Sequence, residues 1–107
     1  MSGCSKYKDF STNVKANSYE ELDLVTKFIV RELLKEYDYL YVFGSRFKGG
    51  WRYCSDFDIA VPYSDNLALK AKEYSLKFGV MVELRNSSFF ETNEGQGLKI
   101  EKWHINN

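Results

Sequence analysis

The strongest hydrophobic pattern in the chain lies between Asn17 and Asp38. Leu22, Val25, Ile29 and Leu33 recur there at helical spacing, with Phe28 and Val30 beside them. This predicts an amphipathic helix over 18–36. Ser18 followed by Glu21 has the form of a capping box, in which each side chain satisfies a backbone N–H at the helix start. Glu20, Glu21 and Asp23 crowd the first turn, where the positive end of the helix dipole favours acids. After Asp38 the period changes. Residues 39–43 (YLYVF) are aromatic and β-branched and read as a buried strand that stops at Gly44. Residues 57–61 (FDIAV) form a second strand, ended by Pro62. Residues 66–78 are rich in helix formers and place Leu67, Ala71, Tyr74 and Phe78 on one face with lysines opposite. Gly79 is placed to stop that helix, and residues 79–85 (GVMVELR) predict a third strand. Residues 86–97 are turn-rich, and the start of 98–105 alternates, predicting a fourth strand at a sheet edge.

The order helix, strand, loop, strand, helix, strand, strand implies a small α/β (α+β) domain, a mixed sheet with helices packed on it. Residues 1–16 are polar with scattered aromatics and read as an N-terminal arm, leaving 17–107 as a single domain. A length of 107 residues fits one core. The hydrophobic fraction of 44% and aromatic fraction of 17% exclude low-complexity disorder as the overall class. A formal net charge of zero excludes a protein that binds nucleic acid by bulk charge. The charge is local instead. Arg46, Lys48 and Arg52 cluster after Gly44, and acids dominate the segment before it. Cys4 and Cys54 make neither a disulfide framework nor a zinc spacing and read as free thiols in a reducing cytosol. No apolar run approaches the roughly 18 residues of a membrane span, and no basic-then-apolar leader opens the chain. A cytoplasmic protein with no membrane partner is expected.

The chemistry concentrates between residues 44 and 58. Asp56 and Asp58 are two apart at the start of a strand, so their side chains share a face about 6.5 Å apart. Two carboxylates so placed can converge on hard cations, although an Asp-x-Asp more often marks a turn or a cap. Gly44-Ser45 ends the preceding strand. Backbone N–H groups there can face an anion, glycine leaves room for a phosphate, and Arg46 and Lys48 can offset its charge. Gly44 and Gly49 have the spacing of P-loop glycines, but Gly50-Trp51 stands where that loop needs Lys and then Ser or Thr. Glu83 lies in an apolar strand. It is either the wet-side residue of an edge strand or a third ligand beside Asp56 and Asp58. His104, the only histidine, reads as a packing or surface residue. Trp51 and Tyr53 can stack on a base or pack over the sheet end.

Taken together, an apolar strand, Gly44-Ser45, a short basic loop, Ser55-Asp56-x-Asp58, a second strand and an acid in a following strand resemble the polymerase-β-type nucleotidyltransferase superfamily. The nearest branch is the minimal nucleotidyltransferases, small single domains often paired with a helical partner protein. The resemblance covers residues 39–84 and extends to the helix before them. It implies a nucleotidyltransferase fold and a Mg²⁺-dependent transfer of a nucleoside monophosphate, AMP from ATP, to a hydroxyl of a protein, small-molecule or RNA acceptor. It assigns Gly44, Ser45, Arg46, Lys48 and Ser55 to the nucleotide and its phosphates. Asp56, Asp58 and Glu83 become the catalytic acids and ligands of two Mg²⁺ ions. The chain departs from the family at two places. The third acid, usually aspartate, is Glu83, and the loop carries bulky Phe47, Trp51 and Tyr53. Both departures motivate an alternative, a weak or silent copy of the fold that acts by binding a protein partner.

Overall fold

The structure is a computed structural model describing residues 14–51, 55–62 and 64–105. The calls on Cys4, Arg52, Tyr53 and Cys54, and on most of the expected arm, lie outside the described residues. Eight elements follow in order: α1 (Leu24–Leu33), β1 (Tyr39–Phe43), α2 (Ser45–Lys48), β2 (Phe57–Val61), α3 (Leu67–Phe78), β3 (Val82–Asn86), α4 (Ser88–Glu91) and β4 (Leu98–Glu101). The strands form one mixed sheet in the order β3-β2-β1-β4. β1 runs antiparallel to β2 and β4, and β2 runs parallel to β3. The parallel step needs a crossover, and α3 supplies it. This is the mixed α+β architecture that the periodicity predicts.

Side chains alternate along each strand, so the sheet has two unlike faces. Leu40, Val42, Ile59, Val61, Leu84 and Ile100 point to one face and are buried with Ile29, Val30 and Leu33 of α1. Leu67, Ala71, Tyr74 and Phe78 of α3 pack against the same core, on the helix face that their spacing marks out. The other face holds a smaller cluster, Tyr41, Ala60 and Phe90 with Tyr39 and Phe43 at its margin, roofed among the described residues by the single turn of α4. The end of α1 is tied to α3 by Glu36, which accepts from Lys70 and Tyr74.

Several boundaries differ from the sequence expectation, each for a local reason. The first helix does not start at Ser18. Tyr19–Glu21 form a 3₁₀ turn, Ser18 makes no side-chain cap, and Leu22 is extended. Glu21 reaches back past Ser18 to accept from the Asn17 N–H at 2.8 Å, so neither bond of the expected box forms. The working cap is Asp23, whose carboxylate accepts from the Thr26 N–H at 3.1 Å and the Thr26 hydroxyl at 2.6 Å. Restarting there turns the helix, so that Thr26 is buried while Val25 and Phe28 are exposed. β3 begins at Val82 rather than Gly79. Gly79 adopts φ +72° to end α3, and Val80 and Met81 turn the chain into the sheet. β4 stops at Glu101, and Lys102–His104 form a 3₁₀ turn that His104 closes by accepting the Glu101 N–H through Nδ1 at 2.9 Å. The packing reading of His104 holds. Residues 14–16, the end of the expected arm, lie against α2, with Ala16 buried and its N–H bonded to the Phe47 carbonyl at 2.8 Å.

Asp23 does more than cap α1. It also receives the buried guanidinium of Arg46 at 3.3 Å. Removing one partner of a buried pair leaves the other charge uncompensated, which costs about 3–5 kcal/mol, whereas a lost cap alone costs about 1 kcal/mol. Asp23→Ala is therefore expected to lower unfolding stability by more than about 3 kcal/mol in urea denaturation. A loss near about 1 kcal/mol would show that Arg46 does not depend on Asp23.

Candidate active site

The site forms where β1 ends and β2 begins. Gly44 turns the chain out of β1 with φ +71°, a conformation that favours glycine. Ser45 opens α2, whose first-turn N–H groups have no carbonyl ahead of them within the helix. The space above Gly44 is taken by Asp58. A Cβ placed on Gly44 would lie 2.1 Å from the Asp58 Oδ2 atom. Residue 44 must therefore lack a side chain both for its own backbone and for the carboxylate it shelters.

Asp58 is the second residue of β2 and pairs with Phe43 of β1 and Glu83 of β3. The register puts Phe43, Asp58 and Glu83 in one row on the open face of the sheet. The two carboxyl groups are within hydrogen-bonding reach of each other. Burial, followed by contact with Glu83 and the nearby charge of Asp56, pushes the Asp58 carboxyl up to about 6, and Arg85 opposes this in part. Glu83 is exposed and β3 is an edge strand, yet it also stands beside Asp58. The two readings of Glu83 are thus compatible. Asp56 lies just before β2 and is exposed. Its carboxylate acts electrostatically on both Asp58 and Arg46.

The basic residues divide. Lys48 is exposed at the end of α2, whereas Arg46 is 3% exposed. Besides Asp23, the Arg46 guanidinium donates to the Ser55 carbonyl at 3.0 Å and lies 4.0 Å from the Phe57 ring and 4.6 Å from the Trp51 ring. Arg46, expected at the phosphates, instead ties α1, α2 and the start of β2 together from within. The reason is that Asp23 offers a carboxylate inside while aromatic faces cover both sides of the guanidinium. Ser55 contributes through its carbonyl, and Trp51 acts as a packing partner.

Sequence reasoning missed Arg85. It sits two residues after Glu83, on the same face, with its guanidinium 5.3 Å from the Phe43 ring centre. The period-two rule that joins Asp56 to Asp58 also joins Glu83 to Arg85, so the signal was present. It missed Asp23 as the anchor of Arg46, because a contact across 23 residues leaves no local trace.

The donors gathered here are carboxylate oxygens, the chemistry that suits a hard divalent cation. Asp58 and Glu83 already adjoin, and Asp56 is near enough to act on Asp58 through its charge. Among the described residues, no three ligating side chains are close enough together to hold a metal as they stand. Asp58 and Glu83, with Asp56 beside them, are the residues that would hold such a cation.

The sequence profile of the polymerase beta nucleotidyltransferase family matches residues 27–99, about two thirds of the chain. The chain belongs to that family. No curated protein and no solved structure gives a significant match to this chain. The family match spans β1 through β3 and includes Gly44, Ser45, Asp56, Asp58 and Glu83. Among the described residues, no helix is long and apolar enough to cross a membrane.

Two outcomes follow for this nucleotidyltransferase. Gly44→Ala is expected to destabilise the domain by about 1–3 kcal/mol, through left-handed strain and displacement of Asp58, measurable by urea denaturation. An unchanged midpoint would refute the contact. The second concerns pH. The Asp58 carboxyl titrates at about 6 in the fold against 3.8 in the open chain, so the folded state retains a proton that the unfolded state has released. That contribution is complete below about pH 4 and is lost as pH rises through about 6. Asp58→Asn in EDTA should therefore melt level with the parent near pH 4 and about 2–5 °C above it at pH 8. A difference that does not grow with pH would exclude a like-charge cost at this pair.

Proposed function

We propose that this chain is a Mg²⁺-dependent nucleotidyltransferase that transfers AMP from ATP to a hydroxyl of a protein, small-molecule or RNA acceptor and releases pyrophosphate. The observation that carries this reading is the packing of the Asp58 carboxylate over the bare Cα of Gly44 with Glu83 alongside. The room that glycine leaves is filled by Asp58 and not by open space, and this brings the acid pair against the Gly44-Ser45 turn.

The Gly44-Ser45 turn would take the triphosphate, through the N–H groups that open α2 and the Ser45 hydroxyl, with Lys48 as the exposed counter-charge. Asp56, Asp58 and Glu83 would hold two Mg²⁺ ions. When bound, these neutralise phosphate charge and orient the reacting oxygens. The acceptor hydroxyl attacks the α-phosphorus. A new O–P bond forms, the bond to the bridging oxygen breaks, and pyrophosphate leaves with that bond's electrons. The hydroxyl proton passes to the Glu83 carboxylate, which is exposed at the sheet edge. Arg46 serves indirectly, by fixing α2 against the strand that carries Asp58. The separation of Asp56 from the Asp58–Glu83 pair favours a second reading, a partner-binding module with weak or no transfer.

Incubation with α-labelled ATP, Mg²⁺ and acceptors of each class separates the two. Transfer is expected to fall about a hundredfold or more in Asp58→Ala and Glu83→Ala, and to stop in EDTA. Transfer that is equal in the parent and in Asp58→Ala would overturn the assignment. No thermal shift with Mg²⁺-ATP, together with a protein partner still recovered by an Asp56→Ala, Asp58→Ala double mutant, would establish the second reading.

A further inference from the structure

The row of acids has two unlike sides. The register puts Phe43, Asp58 and Glu83 in one row and Tyr41, Ala60 and Arg85 in the next, about 6.5 Å away along the strands. Gly44 and Ser45 follow Phe43, so their turn lies on one side of the acids and Arg85 on the other. Asp58 stands between the two, filling the room that Gly44 leaves and feeling the charge of Arg85. Arg85 is exposed, and it crosses β2 to bring its guanidinium within 5.3 Å of the Phe43 ring centre. Among the described residues it forms no ion pair, although two carboxyl groups are its neighbours. A guanidinium held over a ring keeps the N–H groups of its edge for a planar oxyanion, which it can meet with two parallel hydrogen bonds.

The direction of the reaction assigns that edge to one substrate. In an in-line displacement the attacking and leaving oxygens lie on opposite sides of the phosphorus. On the reading proposed above, on which this inference rests, the triphosphate lies at the Gly44-Ser45 turn and pyrophosphate leaves towards it. The attacking hydroxyl then comes from the other side of the acid row, where Arg85 stands two residues from Glu83. We propose that Arg85 is a specificity-determining residue for the acceptor, and that it holds a carboxylate which a protein acceptor carries two residues from its reacting hydroxyl. The spacing follows from strand geometry. Side chains two apart in an extended segment share a face about 6.5 Å apart, the same separation that divides Glu83 from Arg85. A hydroxyl set at Glu83 therefore sets an acid at Arg85. Charge favours a single carboxylate over a nucleic-acid end. Beside Tyr41 and Phe90 the open face carries Glu91 and Glu94 against Lys99, so successive phosphates would meet an excess of acid among the described residues.

Binding tests this without transfer. The probes are short peptides that carry Ser, Thr or Tyr and, two residues away, Asp, Asn or Lys. They are titrated into the full chain with Mg²⁺ and an ATP analogue that cannot release pyrophosphate, and followed by NMR. The Asp peptides are expected to bind about tenfold or more tighter than the Asn peptides. Arg85→Gln should erase that difference, and Arg85→Lys, which keeps the charge, should retain part of it. Arg85→Glu should turn the preference towards the Lys peptides. Equal or undetectable binding of the Asp and Asn peptides by the parent, or a preference that survives Arg85→Gln, would overturn the assignment. An RNA trinucleotide that binds through Arg85 more tightly than the Asp peptides would overturn the protein acceptor. Transfer from α-labelled ATP to the same peptides separates this inference from the reading beneath it. Transfer that is indifferent both to the Asp and to Arg85→Gln refutes the inference and leaves the reading standing. An Arg85-dependent preference in binding, with no transfer to any acceptor, refutes the transferase reading and leaves the carboxylate site standing.

Discussion

Two carboxyl groups, Asp58 and Glu83, are held side by side because β2 and β3 run parallel in a register that allows nothing else. Much of the chemical end of this fold can be understood as the means of holding that unfavourable pair. The strands are tied by their buried neighbours, Ile59 with Leu84 and Phe57 with Val82, so the two backbone positions cannot separate without breaking core contacts. Gly44 yields the space into which Asp58 fits. Arg85 brings a positive charge to the same face, although burial and the neighbouring acids outweigh it. A fold that concentrates like charge in this way sacrifices stability locally, which is the usual mark of a site shaped by its chemistry.

On the far side of the same strand end, the buried cation of Arg46 plays the complementary part. It is bonded to Asp23 and the Ser55 carbonyl and lies between the rings of Trp51 and Phe57. Burial pulls its ionisation below the ordinary range for arginine, while Asp23 and then Asp56 hold it up. The contact fixes the start of α1, the turn of α2 and the approach to β2 relative to one another. Bulky Trp51, which as a sequence feature put nucleotide access in question, acts here as one wall for this guanidinium.

Local signals carried most of the secondary structure and the row of acids. The limits of β1 and β2, the inner face of α3 and the closeness of Glu83 to the aspartates all follow from periods of two and of about 3.6 residues acting on short segments. What could not be read depended on competition between alternatives that look alike in one dimension. Ser18 and Asp23 are both acceptable caps. Asp23 prevails because Thr26 supplies two donors and Arg46 a third, and Arg46 lies 23 residues away. That choice moves the start of the helix and reverses the expected roles of Val25 and Thr26. The fate of Arg46 is the same problem seen from its other end. A basic residue after Gly-Ser suggests phosphate, and only the fold shows that a carboxylate already waits beneath it.

The two sheet faces therefore serve different ends. The helix side buries the main core beneath α1 and α3. The other side carries Asp58, Glu83 and Arg85 on a surface roofed, among the described residues, by α4, whose Phe90 packs on Tyr41 and Phe43. Such a face can position two carboxylates with the precision of paired strands, but it encloses little. The described part of the chain provides no lid over the acid row and no second domain to close on it. An acceptor engaged there must bring much of its own orientation, because the entropy of aligning a hydroxyl with a phosphorus has to be met by contacts from one partner or the other. An acceptor with a large surface of its own meets that requirement more readily than a small alcohol does. Arg85, resting on Phe43 beside Glu83, puts an exposed positive charge on the same face as the acids.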